Sequence, residues 1–376
     1  MLADWLVIGS GLSGAVLAER LASQLDQTVL VVEKRRHVGG NVFDYFDDNG
    51  ILVHKYGPHV FHTNLEHVVE YLSAFTAWTP YTHRVSAVVD GIHVPVPFNL
   101  NSLYATFSQS QARQIEEELV RLFGFGATVS VLSLLNANSP VAQNFAQYVY
   151  DRVFKRYTQK QWGMSPEEID PSVTARVPIR VSRDDRYFTD RYQFMPKHGY
   201  TALIENLLNH PRIKVLLNAD FREVLPSLSF KRMIYTGPVD AFFDFVHGEL
   251  PYRSLRFDMA TLDREFAQPT AAVNFPNDYA FTRQTEMKRL TGQVSPKTVV
   301  ATEYPLAWLR GRNEPYYPIP NEQSRERHDR YRAEVAKLDG SVLFVGRLAE
   351  YKYYNMDEVV SRALEVFDSA IVQGAA

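Results

Sequence analysis

Three glycines at the spacing Gly9-x-Gly11-x-x-Gly14 follow a short apolar run, DWLVIG, and open a stretch of helical periodicity, LSGAVLAERLASQL. Such a triplet is suited to cradling a pyrophosphate. Gly9 permits the tight turn, Gly11 lets the backbone approach a phosphate, and Gly14 lets helix and strand pack closely. The helix N-terminus adds unsatisfied N–H groups for the anion. Glu33 closes the next apolar run, TVLVVE, at the distance where a carboxylate accepts hydrogen bonds from a ribose hydroxyl pair. Glycines alone are weak evidence; with strand, helix and acid in place they predict a dinucleotide site. A second glycine pair, Gly39-Gly40, follows in KRRHVGGN. Read as a close approach to a long ligand it suits FAD lying along the domain; read as a turn it is only punctuation. No second triplet marks a separate nicotinamide site.

The next chemistry-bearing stretch is VHKYGPHVFHT, residues 53–63, which gathers His54, His59 and His62. Three imidazoles raise the question of a metal. The ligand set is poor, because no cysteine, HExxH pattern or adjacent carboxylate pair completes it. No metal site is assigned.

These groups need a scaffold, and the chain is long enough to supply one. Its 376 residues, 45% hydrophobic and 22% charged, describe an enzyme-sized globular protein of two or three lobes. The formal charge, 40 − 43 = −3, offers no basic face for nucleic acid. No apolar run approaches the roughly 18 residues of a membrane span. The sequence enters ADWLVIG at once, so no signal peptide is expected, and the absence of cysteine suits a reducing cytoplasm.

DWLVIG, LSGAVLAERLASQL and TVLVVE form a βαβ unit. VSAVVDGIHVPV predicts a hairpin turning at Asp90-Gly91. QARQIEEELVRLFG predicts a helix with Ile115, Leu119, Leu122 and Phe123 on one face, ended by Gly124. A second helix starts at Ser139-Pro140, carries Val141, Phe145, Tyr148 and Val149 on a stripe, and is expected to end near Lys155 and Arg156. YTALIENLLNH reads as a helix; IKVLLNADF, KRMIYTG and SVLFVGR read as strands. TAAVNF and KTVVATEY point to an antiparallel sheet. The last helix begins near Asn355, a plausible cap, with Asp357 and Glu358 in its first turn.

Taken together, GSGLSGAVLAERLA, VVEKRRHVGGN, HKYGPHVFHTN, RYTQKQWG, EYPLAW, EPYYP and GRLAEYKYYNMD resemble, in order, the blocks of the bacterial UDP-galactopyranose mutases. The resemblance spans the chain from about residue 5 to 365. It implies an α/β protein: a discontinuous Rossmann-type FAD-binding domain (1–66, 199–240, 340–376), a helical lobe (99–165) and an antiparallel-sheet substrate domain (67–98, 166–198, 241–339). It implies noncovalent FAD, active when reduced, whose N5 attacks the anomeric carbon of galactose and displaces UDP. The ring then opens and recloses as UDP-galactofuranose, a precursor of galactofuranose-containing glycans. A homodimer is also implied.

The resemblance assigns residues as well. Pro58 and His59 would lie beside the flavin ring. Further cofactor contacts fall at Ser13, Lys34, Asn41, Val60, Asp220, Phe221 and Gly346. Arg347 and the Asn355-Met356 helix start would stand at the flavin's pyrimidine end, stabilising an anionic reduced flavin. Tyr157, Thr158 and Trp162 match the uridine site. Arg176 and Arg283 match the diphosphate arginines, with Arg180 on the same loop as Arg176 and Tyr187 just beyond it. Tyr317 and Tyr353 match tyrosines that bond the phosphates; Arg253, Asn274 and Glu303 match polar residues of the cleft.

Three positions depart from the family pattern: Asn355 for aspartate, QFMPKHGY for P-x-G-G-Y, and His83 where some members carry asparagine near the sugar. They leave the exact hexose open. The competing readings are a flavin oxidoreductase of the amine-oxidase type, a mutase of the same fold on another nucleotide sugar, and a non-catalytic binding protein of the Rab-escort type. The intact glycine triplet and Glu33 argue against the last.

Overall fold

The computed structural model describes residues 2–164, 178–319 and 321–372. The chain folds as two compact units, one of Met1–Pro80, Asp190–Arg253 and Trp308–Ala376, the other of Tyr81–Thr189 and Ser254–Ala307.

The first unit grows from the predicted βαβ motif: β1 (Leu2–Ile8), α1 (Leu12–Leu25) and β2 (Val29–Val32). β1 is the middle strand of a parallel five-stranded sheet, in the order Ile213–Leu216, β2, β1, Ser229–Tyr235 and Val342–Phe344. A parallel sheet is covered on both faces, which explains the unbroken apolar runs in its central strands. Leu6, Ile8, Leu30 and Val32 join Met233 and Tyr235 in one cluster. α1 buries Val16, Leu17 and Leu21 completely and packs against the helices Met356–Val366 and Gly199–Leu208. Truncating Leu17 or Leu21 to alanine would cost on the order of 2–5 kcal/mol.

IKVLLNADF is not a strand throughout. Pairing stops at Leu216, Asn218 takes a left-handed φ of 55°, and Asp220 caps a short helix by accepting the Arg222 N–H at 2.9 Å. Local capping chemistry ends the extended run.

The second unit carries the hairpin Val85–Val89 and Ile92–Val96, turned by Asp90 and Gly91 at φ 49° and 83°. Two consecutive positive φ values match the right-handed twist of the strands. Its larger sheet runs in the order Tyr252–Leu262, Thr298–Ala307, Arg283–Glu286, Ala272–Asn274, then the hairpin. The expected antiparallel sheet is therefore mixed, because Ala272–Asn274 runs parallel to Val85–Val89.

Helices pack on the hairpin in this same unit. The helix Gln109–Phe123 buries Ala112, Ile115 and Leu119 and ends at Gly124, with φ 83°. The helix Pro140–Val149 is capped by Ser139, whose hydroxyl accepts the Ala142 N–H at 3.3 Å. It does not end at Lys155 and Arg156: one π-helical turn, Tyr150–Lys155, carries it into Arg156–Trp162, where left-handed Gly163 stops it. Tyr157, Thr158 and Trp162 are thus helical residues. The three-part division read from the sequence differs from the two units in that helices and sheet share one core, built on residues such as Val94, Phe98, Leu119 and Phe145.

Candidate functional site

In the first unit, the ends of β1 and β2 open onto a cavity of about 630 Å³. Gly9 has φ 99°, and a Cβ there would stand 2.2 Å from Thr236 Oγ1. A Cβ on Gly14 would meet the Gly9 carbonyl oxygen at 2.0 Å, so this glycine serves packing. Gly11 and Gly40 meet backbone to backbone; a Cβ on Gly40 would be 3.0 Å from Gly11 Cα. The two glycine loops thus form one cradle that side chains would fill.

α1 begins at Gly11 with no side-chain cap and no acidic residue in its first turn. Its dipole and N–H groups are available to an anion. Glu33 is buried, with Oε2 accepting from the Ser10 N–H and hydroxyl at 2.9 Å each and Oε1 from the Arg35 N–H at 2.9 Å. Oε2 is filled by the two Ser10 donors and Oε1 has one lone pair to spare, so the fixed carboxylate can also receive a ribose hydroxyl. Shape, backbone cradle and donor set fit a dinucleotide.

Of the predicted cofactor residues, Gly9, Gly11, Ser13, Glu33, Lys34, Gly40 and Asn41 line this cavity, as do His59, Asp220, Phe221, Gly346, Arg347 and Met356. Gly14, Val60 and Asn355 are not among its lining residues. Val60 is buried, and the Asn355 N–H donates to Glu358 Oε2 at 2.7 Å, starting the last helix. Residues 194–198 of the departing QFMPKHGY segment do not line it either; Lys197 and His198 are exposed.

Sequence reading missed Arg35, Thr236 and the stretch Arg310–Tyr316. Arg35 stacks on Tyr56 at 4.4 Å, donates to Asn41 Oδ1 at 3.1 Å, and pairs with Glu314 at 3.2 Å; Lys34 also reaches Glu314, at 2.9 Å. A partner almost 280 residues away leaves no local signal.

The three histidines do not converge. His54 is fully buried and accepts the His59 N–H at Nδ1, 3.1 Å away. His62 pairs with Asp190 at 3.1 Å. His59 faces the cavity, and its Nδ1 donates to the Gly57 carbonyl at 2.8 Å, leaving Nε2 as an acceptor. Burial, then the neighbouring His54, pushes the His59 pKa down to about 3, so its imidazole is neutral. Among the described residues no group of three His, Cys, Asp or Glu side chains could hold a metal ion.

Arg347 lies against two tyrosines of the same unit. Tyr317 and Tyr353 stack at 5.6 Å, and the Arg347 guanidinium sits 5.3 and 5.1 Å from their ring centroids. Arg347 Nε also donates to the Tyr354 carbonyl at 3.1 Å. Arg253 is buried and pairs in register with Tyr317.

The second unit brings together another set. Asn274, Arg283 and Glu303 stand opposite one another on three adjacent antiparallel strands. Arg283 Nη2 donates to Glu303 Oε1 at 3.4 Å, and the Glu303 side chain is only 4% exposed. Asn274 Oδ1 is buried without a hydrogen-bond partner among the described residues. Burial pushes the Tyr157 phenol up to about 12 although Arg283 opposes the shift; Glu303 and Tyr187 reinforce it. Thr158 is buried and Trp162 half-buried on the same helix.

His83 is buried, its Nδ1 3.1 Å from the Tyr81 hydroxyl, edge-on to Tyr187 and stacked on Phe188. Arg180 is committed to the carbonyls of Arg186 and Tyr187. Arg176 lies outside the described residues.

The glycine cradle, the fixed acid and the cavity define a Rossmann-type dinucleotide-binding unit, joined in one chain to a second unit with a tyrosine, arginine and carboxylate assembly. The sequence pattern of the NAD(P)-binding Rossmann-like domain matches residues 7–75, and that of UDP-galactopyranose mutase matches residues 152–353. A probable UDP-galactopyranose mutase of Klebsiella pneumoniae is 35% identical over 96% of this chain and 93% of its own. A dTDP-fucopyranose mutase of Escherichia coli is 33% identical over 96% of this chain and 96% of its own. A crystal structure of reduced UDP-galactopyranose mutase has the same fold, with a TM-score of 0.77 at 16% identity, over 100% of this chain and 95% of that one. The chain belongs to the UDP-galactopyranose mutase family, a family of isomerases. No described helix is long and apolar enough to cross a membrane.

Proposed function

We propose that this protein interconverts UDP-galactopyranose and UDP-galactofuranose using noncovalent FAD in its reduced form, in a cytoplasm that makes galactofuranose-containing glycans. The observation that carries the reading is the Asn274–Arg283–Glu303 register beside Tyr157, on a chain of this family.

Gly11, Glu33, Gly40 and Arg347, which line the cavity, would hold the FAD, and in its reduced form it would supply the nucleophile, N5, for displacement of UDP from the anomeric carbon. The protein's own groups do the rest. Arg283 neutralises the charge that gathers on the diphosphate as the glycosidic C–O bond breaks and its electron pair leaves with UDP. Glu303 holds that guanidinium in place. The Tyr157 hydroxyl stays protonated at neutral pH and so remains a donor. Thr158 and Trp162 would read and stack the uracil, and His83 with Tyr187 would border the sugar.

At the cofactor cleft, neutral His59 neither competes for a proton nor repels a reduced flavin's surroundings. Arg347 and the N-terminus of the Met356–Val366 helix favour the anionic reduced state. Tyr317, Tyr353 and Arg253 supply donors beside Arg347, and Arg176 remains the second diphosphate arginine of the reading.

The test is anaerobic incubation with UDP-galactofuranose, with and without dithionite, followed by nucleotide chromatography. Conversion to UDP-galactopyranose only after reduction is the expected result. Since a relative named for dTDP-fucopyranose is about as similar as one named for UDP-galactopyranose, dTDP-fucopyranose is run in parallel. A yellow, reducible protein that converts neither sugar would sink the mutase reading. Oxygen-dependent turnover of an amine by such a protein would favour the oxidoreductase. Light scattering on the holoprotein checks the homodimer.

A further inference from the structure

Lys160 lies on the helix Arg156–Trp162, three residues from Tyr157 and so on the same helical face. Its ammonium donates to the Phe275 carbonyl and, at 3.0 Å each, to the carbonyls of Tyr279 and Phe281. Those carbonyls belong to the loop that joins the strand Ala272–Asn274 to the strand Arg283–Glu286. The loop therefore begins beside Asn274 and ends beside Arg283. A second tether reaches the same loop, with Asn277 Nδ2 donating to the Arg152 carbonyl at 2.9 Å.

Three carbonyls converging on one ammonium make a specific joint. They match the three N–H donors of a protonated lysine, and arginine's planar fork has a different geometry. The loop's own rings, Phe275, Tyr279 and Phe281, pack on each other, so the segment that carries the three carbonyls is held together as a unit. Burial lowers the Lys160 pKa to about 8 against an opposing pull from Asp278, and the joint still forms with the lysine charged at neutral pH.

We infer that Lys160 is the positioning residue that sets Arg283 and Asn274 at a fixed distance from Tyr157 and Trp162, so that uracil and diphosphate are gripped in one register. This rests on the proposed UDP-sugar reading of that unit. Lys160 does not touch the substrate; it acts through the loop.

The experiment measures UDP affinity, KM and kcat of the reduced holoprotein for wild type, Lys160→Met and Asn277→Ala. Lys160→Met should weaken UDP binding and raise KM about tenfold, a coupling typical of a misplaced charge-assisted contact. Its kcat at saturating substrate should also fall, by less than the loss on removing Arg283 itself because the guanidinium is displaced and still present, and its flavin spectrum should be unchanged. Asn277→Ala, which removes a half-buried polar side chain, should raise the UDP dissociation constant about threefold. A purely structural lysine would lower the melting temperature and leave UDP affinity alone. Wild-type UDP affinity in Lys160→Met would overturn the inference; if that variant does not fold, wild-type affinity in Asn277→Ala would do so. Failure of the wild type itself to bind UDP would overturn the UDP-sugar reading and the inference with it.

Discussion

Arg283 and Glu303 face each other across neighbouring antiparallel strands, with a guanidinium nitrogen 3.4 Å from a carboxylate oxygen that is almost wholly buried. The carboxylate is enclosed while the arginine is 27% exposed, so the pair presents a cation on a fixed anionic base. A lone surface arginine would spend most of its time solvated and disordered.

Arg283→Ala is expected to lower kcat about 10²–10³-fold, the usual loss when a donor to developing charge is removed. The flavin absorbance should be unchanged, because Arg283 is not among the residues that line the cofactor cavity. Glu303→Gln keeps the shape and should cost less, about tenfold. Steady-state turnover beside absorbance spectra decides it: a fully active Arg283→Ala would end the diphosphate role.

Gly9→Ala combines a positive φ with a collision against Thr236. It should destabilise the first unit by about 2 kcal/mol or more and yield a protein that loses its yellow colour on gel filtration. Gly91→Ala is the control, since Gly91 has φ 83° but nothing within 4 Å of a new Cβ. It should cost about 1 kcal/mol and retain FAD. Equal FAD loss from both would show that backbone strain, not the cradle, governs binding.

Glu314 holds Lys34 and Arg35 immediately after Glu33, and all three line the cavity. Glu314→Gln should speed FAD release severalfold, and high salt should speed release from the wild type more than from the variant. Stopped-flow fluorescence of released flavin reports both. Identical salt dependence in the two proteins would remove the ion pairs from the account.

His54 is buried and burial holds its pKa near 4, below the usual 6.5 of histidine. Between pH 6.5 and 4 the unfolded chain binds a proton there that the folded chain refuses. Stability should therefore fall as pH drops through that window, by about 3 kcal/mol in all from this group, and stay flat above it. Denaturant midpoints at pH 7 and 5 measure the slope. His54→Gln, which keeps an acceptor for the His59 N–H, should make the slope shallower and leave the share that His59, also held neutral, contributes with the same sign; an unchanged slope would assign the effect elsewhere.

Much of this was readable in one dimension because the controlling interactions are local. The glycine triplet, the hairpin turn at Asp90-Gly91, the Ser139-Pro140 helix start and the stop at Gly124 each depend on a few adjacent residues. Misreadings came where a distant partner outweighed local preference. Lys155 and Arg156 look like a helix end, yet the helix runs on through a π-turn, and Val153 and Phe154 are buried there. The strand reading of residues 218–220 in IKVLLNADF failed for a local reason instead, because Asp220 caps a short helix there.

The sequence alone determined the Rossmann-type glycine cradle at Gly9–Gly14 and the place of Glu33 at the end of the next strand, because strand, turn and helix there are built from neighbours in the chain. Block order likewise named the residues of the second unit. Tertiary structure alone decided which groups meet: Glu314 with Lys34 and Arg35, Lys160 with the 275–281 carbonyls, and Arg283 between Asn274 and Glu303. It also dispersed the three histidines into three separate environments. The physical reason is that backbone geometry is set within a turn or two, whereas charge pairing and burial depend on which strands lie side by side, and no residue carries that information by itself.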